Sequence, residues 1–75
     1  MPSSVKLDLV GVGWPVCLLE CKNVLNELPS GQELEVRIHD PDVFKDLVTI
    51  IERSGNHRVR YRQVGADYMI YVQKK

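Results

Sequence analysis

The chain has 75 residues, so it has room for one domain and one modest core. Its hydrophobic share of 44% and charged share of 27% fit a folded globular chain and exclude a disordered one. Ten basic and ten acidic side chains cancel, which excludes a protein whose main work is non-specific phosphate binding. The two cysteines, Cys17 and Cys21, are too few for a disulfide-dependent secreted scaffold. With His39 and His57 they form no recognisable metal-ligand set, so no metal and no cofactor is expected. No basic start leads into a long apolar run, and no segment is long enough to span a bilayer. The expectation is a cytoplasmic protein with reduced thiols and no membrane association.

In chain order, Val5, Leu7 and Leu9 alternate with Lys6 and Asp8, the period of a strand with one wet face. Gly11 and Gly13 break that pattern and permit a tight loop. Pro15 suits the first position of a helix, where its missing N–H is no loss. Cys17, Leu18, Cys21, Val24, Leu25 and Leu28 then recur at helical spacing, and Pro29-Ser30-Gly31 turns the chain. Leu34, Val36 and Ile38 alternate with Glu33, Glu35 and Arg37, giving a second strand.

Asp40-Pro41 opens a second helix: the carboxylate can accept from free N–H groups, and Asp42 favours the positive end of the dipole. Phe44, Leu47, Val48 and Ile51 make its apolar stripe, and Gly55 is placed to end it in a left-handed conformation. His57 to Val64 reads as a third strand, with Val59 and Tyr61 on one face and Arg58, Arg60 and Arg62 on the other. Gly65-Ala66 turns a hairpin into a fourth strand carrying Tyr68, Ile70 and Val72. The order is βαβαββ. Elements with one apolar face each predict a two-layer α/β sandwich over residues 1–75: a four-stranded mixed sheet, two helices on one face, water on the other.

This order and spacing resemble the TusA/SirA-like family of small sulfur-carrier proteins. The resemblance runs along nearly the whole chain. It rests on Leu7-Asp8, Gly11, Pro15, the Leu28-x-x-Gly31 turn with Leu34 and Val36, Asp40-Pro41 with Asp46, and Gly55-His57. It implies the same two-layer sandwich and a persulfide carried on a cysteine between partner proteins, for example towards thio-modification of transfer RNA. The family's Cys-Pro-x-Pro motif aligns with Trp14-Pro15-Val16-Cys17. The resemblance thus puts Trp14 at the position of the sulfur-accepting cysteine and Cys17 at that of the second proline. A thiol there gains its reactivity from the helix N-terminus, which favours the thiolate. An indole forms no persulfide.

Three readings follow. In the first, the chain is a degenerate family member, an interaction module for a protein partner of sulfur or redox metabolism or regulation. Trp14, Pro15, Val12, Val16 and Leu19 are then its contact surface, since a Trp among apolar neighbours is a typical anchor; the alternative is that Trp14 folds back over the helix end and fills a gap in the core. In the second, Cys17 has taken over as the catalytic thiol of a sulfurtransferase, although its place on the apolar stripe with Cys21 also suits inert packing. In the third, the row Arg58, Arg60, Arg62 binds RNA; its simpler reading is a wet face paired with Glu33, Glu35 or Asp8. His39 and His57 read as surface or turn residues, and Asp40 as a helix cap. A monomer is expected.

Overall fold

A computed structural model of the protein describes residues 4–55 and 57–75. The elements follow the predicted order: β1 (Ser4–Asp8), α1 (Val16–Glu27), β2 (Glu33–Ile38), α2 (Pro41–Arg53), β3 (His57–Val64) and β4 (Asp67–Lys74). The strands form one sheet in the order β1-β2-β4-β3. β1 and β2 are parallel, while β4 is antiparallel to both of its neighbours. β1, β2 and β3 therefore all run the same way, and α1 and α2 are crossovers that step across the sheet in the same direction. Right-handed crossovers of that kind place both helices on one face, which is why a two-layer sandwich results.

Register sorts the side chains. One face carries the rows Val5–Leu34–Val72–Val59 and Leu7–Val36–Ile70–Tyr61, followed by Ile38–Tyr68–Gln63. On the two central strands Leu34, Val36, Ile70 and Val72 are wholly buried. On the edges the same face opens, and Val5 and Tyr61 are exposed. The helices complete the core with Cys17, Cys21, Leu25 and Leu28 from the first and Leu47, Val48 and Ile51 from the second. Phe44 of α2 stacks on Tyr68 at 4.4 Å between ring centroids and meets Tyr61 edge-on at 5.3 Å.

The opposite face carries Ser4–Glu33–Gln73–Arg58, Lys6–Glu35–Tyr71–Arg60 and Asp8–Arg37–Met69–Arg62, and it meets water as expected. Its charges pair across strands: Arg60 with Glu33 at 3.1 Å, Lys6 with Glu35 at 4.0 Å, and Arg37 with Asp67.

The turns behave as their residues dictate. Val64 and Asp67 are paired, so Gly65-Ala66 is a two-residue hairpin loop, with φ of +62° at Gly65 supplying the positive first position of a type II′ turn. Gly55 follows the second helix at φ +75°. The expected start of the first helix is corrected by one residue. Pro15 precedes the helix as its cap, joined to Trp14 by a cis peptide bond, and the helix begins at Val16. His57 is no turn residue: it opens β3, half-buried, and its Nδ1 is enclosed with no hydrogen-bond partner among the described residues. No helix among the described residues is long and apolar enough to cross a membrane.

Candidate functional site

β1 and β2 are adjacent and parallel, so their carboxyl ends open on the same edge of the sheet. Here the β1–α1 loop and the β2–α2 connection leave the strands side by side. Together they frame a cleft of about 440 Å³ lined by Leu9, Val12, Trp14, Ile38, His39 and Val43, with the backbones of Gly11 and Gly13.

Local chemistry shapes the loop. The Asp8 carboxylate accepts from the Val10 amide at 3.0 Å, and the Val12 amide donates to the Leu9 carbonyl at 3.0 Å. Gly11, at φ +82°, completes the reversal in a conformation that a side chain would strain. The chain then emerges with Trp14 at 42% exposure, Val16 at 50% and Leu19 at 54%. Val16 and Leu19 are one turn apart on the outer side of α1, so they extend the apolar surface that Trp14 begins. Pro15 is exposed beside them, whereas Val12 is half-buried and packs against the core. Val10, not anticipated from sequence, adds a further exposed side chain at 44%.

The thiols lie elsewhere. Cys17 and Cys21 are both fully buried, facing the sheet rather than the loop. The Cys17 amide donates to the Gly13 carbonyl at 3.1 Å, so it is not free to hold an anion. Burial first, then the neighbouring charges of Cys17 and Glu20, pushes the Cys21 thiol up to about 12. A thiol in that state stays protonated at neutral pH and is a poor nucleophile.

The cleft is flanked by one polar network. Asp67 at the start of β4 accepts from the Arg37 guanidinium, and its other oxygen lies 3.0 Å from Nδ1 of His39. These bonds, Arg37's foremost, hold the Asp67 carboxyl below its usual range. His39 is thereby a fixed rim residue of the cleft. The structure joins it to Trp14, although the sequence suggested no connection between the two. The signal that could have found it is topological: both residues follow strands that end on the same edge. Among the described residues no group of three or more potential metal ligands occurs.

Arg58, Arg60 and Arg62 project from β3 on the wet face, and the cleft at the strand ends does not include them. Only Arg60 has the anticipated acidic partner, Glu33. Glu35 goes to Lys6, and Asp8 is used by the loop.

The molecule is a two-layer α/β sandwich with a cleft where its parallel strands end. Over residues 5–74 the chain matches the family model described as sulfurtransferase TusA. It is 30% identical over 69 residues to the sulfur carrier protein TusA of Allochromatium vinosum, covering 92% of this chain and 91% of that one. It is 31% identical over 74 residues to YrkI of Bacillus subtilis, with 99% of each chain covered. The crystal structure of a SirA-like protein from Desulfitobacterium hafniense superposes with a TM-score of 0.77 at 19% identity, covering 89% of this chain and 92% of that one. The protein belongs to the TusA family of sulfur carriers, and the predicted fold is the observed one.

Proposed function

We propose that this protein is a TusA-family member that no longer carries sulfur and works as a docking module. It would engage a protein partner of sulfur or redox metabolism, or of its regulation, through Trp14, Pro15, Val16 and Leu19. One observation carries this reading. An exposed indole occupies the loop where the family resemblance puts the acceptor cysteine, while both thiols of the chain are fully buried. Carrying sulfur requires a thiolate that can reach a donor's sulfane sulfur and form an S–S bond with it. A thiol sealed in the core cannot reach the donor. An exposed Trp with exposed aliphatic neighbours, by contrast, belongs to the residue types enriched at binding hot spots.

The names of the relatives favour a second reading, in which sulfur transfer persists on Cys17. That reading requires the start of α1 to open, because the side chain faces the core.

Intact-mass measurement after incubation with a cysteine desulfurase and cysteine separates the two. The docking module gains no sulfur. A gain of one sulfur atom that disappears in Cys17→Ser establishes the relocated carrier instead. Thiol labelling gives the same answer from another side. Cys17 and Cys21 react with an alkylating reagent only as denaturant is raised, whereas fast labelling of native Cys17 overturns the docking reading.

A further inference from the structure

The β3 edge of the sheet is unlike the other edge, and the cleft makes no use of it. β3 pairs only with β4, so the outward N–H and C=O groups of an eight-residue strand have no sheet partner. Among the described residues no loop or turn backbone takes them either. β1, at the opposite edge, has five residues with Lys6 and Asp8 of opposite sign on its wet face. On β3 the wet face carries one sign only, Arg58, Arg60 and Arg62, all exposed. No carboxylate lies within 4.0 Å of Arg58 or Arg62 among the described residues. On the other face of the same strand the helix layer stops short. Tyr61 is 56% exposed and held edge-on to Phe44, with Val59 half-buried beside it. A strand laid along this edge would meet cations on one side and a partly open apolar shelf on the other.

We propose that the β3 edge binds an extended acidic segment of a partner protein as a fifth strand. Its carboxylates would stand opposite Arg58, Arg60 and Arg62, and its alternate apolar side chains beside Val59 and Tyr61. Main-chain hydrogen bonds supply the common part of such binding, and the alternation of side chains supplies its selectivity. A second copy of this chain is a poor occupant. Two β3 strands paired about a twofold would set arginine against arginine, and β1 offers Lys6 among its few wet-face residues. RNA is also a weaker fit. The one aromatic ring on this face, Tyr71, is covered by Arg60 at 5.2 Å and Arg62 at 5.9 Å and is not open to a base.

The probe is a synthetic seven-residue peptide alternating glutamate and valine, titrated into the full chain by fluorescence anisotropy and by amide hydrogen exchange. Three results are expected. Alternate amides of His57–Val64 gain protection. Affinity falls about tenfold in the double variant R58E/R62E, as two opposed pairs become two like-charge pairs. A peptide N-methylated on its strand-facing amides fails to bind the unaltered protein, an arm that needs no protein variant. Binding that tolerates N-methylation, or protection that appears elsewhere, overturns the proposal. So does retention of a single-stranded oligoribonucleotide, lost in R58E/R62E, without peptide binding; this outcome makes the edge a nucleic-acid surface. Trp14→Ala leaves peptide binding unchanged, so failure here and failure of the docking cleft are separate results.

Discussion

The two helices are built on opposite plans. α2 has local devices at both ends. Asp40 accepts from the amides of Asp42 and Val43, Pro41 starts the first turn, Asp42 sits at the positive end and Arg53 at the negative end. Its buried residues, Leu47, Val48 and Ile51, share one face. α1 also buries one face, with Cys17, Cys21 and Leu25, but it lacks the end devices. Its cap is Pro15, which has no side-chain acceptor; its first turn has no acid and its last turn no base. It also exposes Val16 and Leu19 on the side away from the core. Local rules alone would make α2 helical and leave α1 marginal, since short helices draw most of their stability from packing. What α1 gains in exchange is an apolar, uncharged approach to the strand-end cleft. The helix with the weaker local signals is the one that presents a surface.

This contrast can be broken or sharpened by experiment. The largest effect is expected from the buried faces. Leu25→Ala in α1 and Leu47→Ala in α2 should each lower unfolding free energy by about 2–5 kcal/mol in urea titrations. A markedly smaller loss at Leu25 would mean that α1 is not held by its packing. Next comes the exposed surface. Trp14→Ala should weaken binding to a cysteine desulfurase or other sulfur-relay partner by about 2 kcal/mol, roughly 30-fold, in calorimetric titration. Its effect on folding should be smaller, because the ring is already 42% exposed. Unchanged affinity would remove Trp14 from the interface.

Asp40→Ala should cost about 1 kcal/mol by removing the cap of α2. Pro15→Ala removes no side-chain acceptor from α1, so the two substitutions compare a capped start with an uncapped one in the same urea assay. The smallest effect concerns acid. Arg37 and His39 hold the folded-state Asp67 carboxyl below the ordinary 3.8. The unfolded chain therefore binds that proton first. The stability this group contributes is present above about pH 4 and is lost as pH falls through the depressed folded value. Asp67→Asn should flatten that part of the acid limb in pH-dependent melting, and an unaltered limb would show that the network contributes nothing.

The sequence determined a good deal. Period-two and helical patterns placed all six elements in order, because each element's apolar residues mark the face it must bury. Asp40-Pro41, Gly55 and Gly65-Ala66 marked a start, a stop and a hairpin, because those residues impose their own backbone geometry. The family resemblance drew attention to the run Trp14-Pro15-Val16-Cys17, and the β3 arginine row was legible as a row.

Tertiary structure alone decided the rest. Strand order inserts β4 between β2 and β3, and that order leaves the arginines on a free edge. Cys17 has the same position in the helical stripe whether it is open or covered; the sheet beneath it covers it, at 0% exposure. The carbonyls of α1's last turn, without a cation of their own, are met by Nζ of Lys74 at 2.7 Å, from 49 residues away. His39 shares a cleft with Trp14 because two parallel strands end together. All of these depend on contacts between segments distant in the chain, and local patterns of hydrophobicity and turn chemistry hold no record of which distant segments meet.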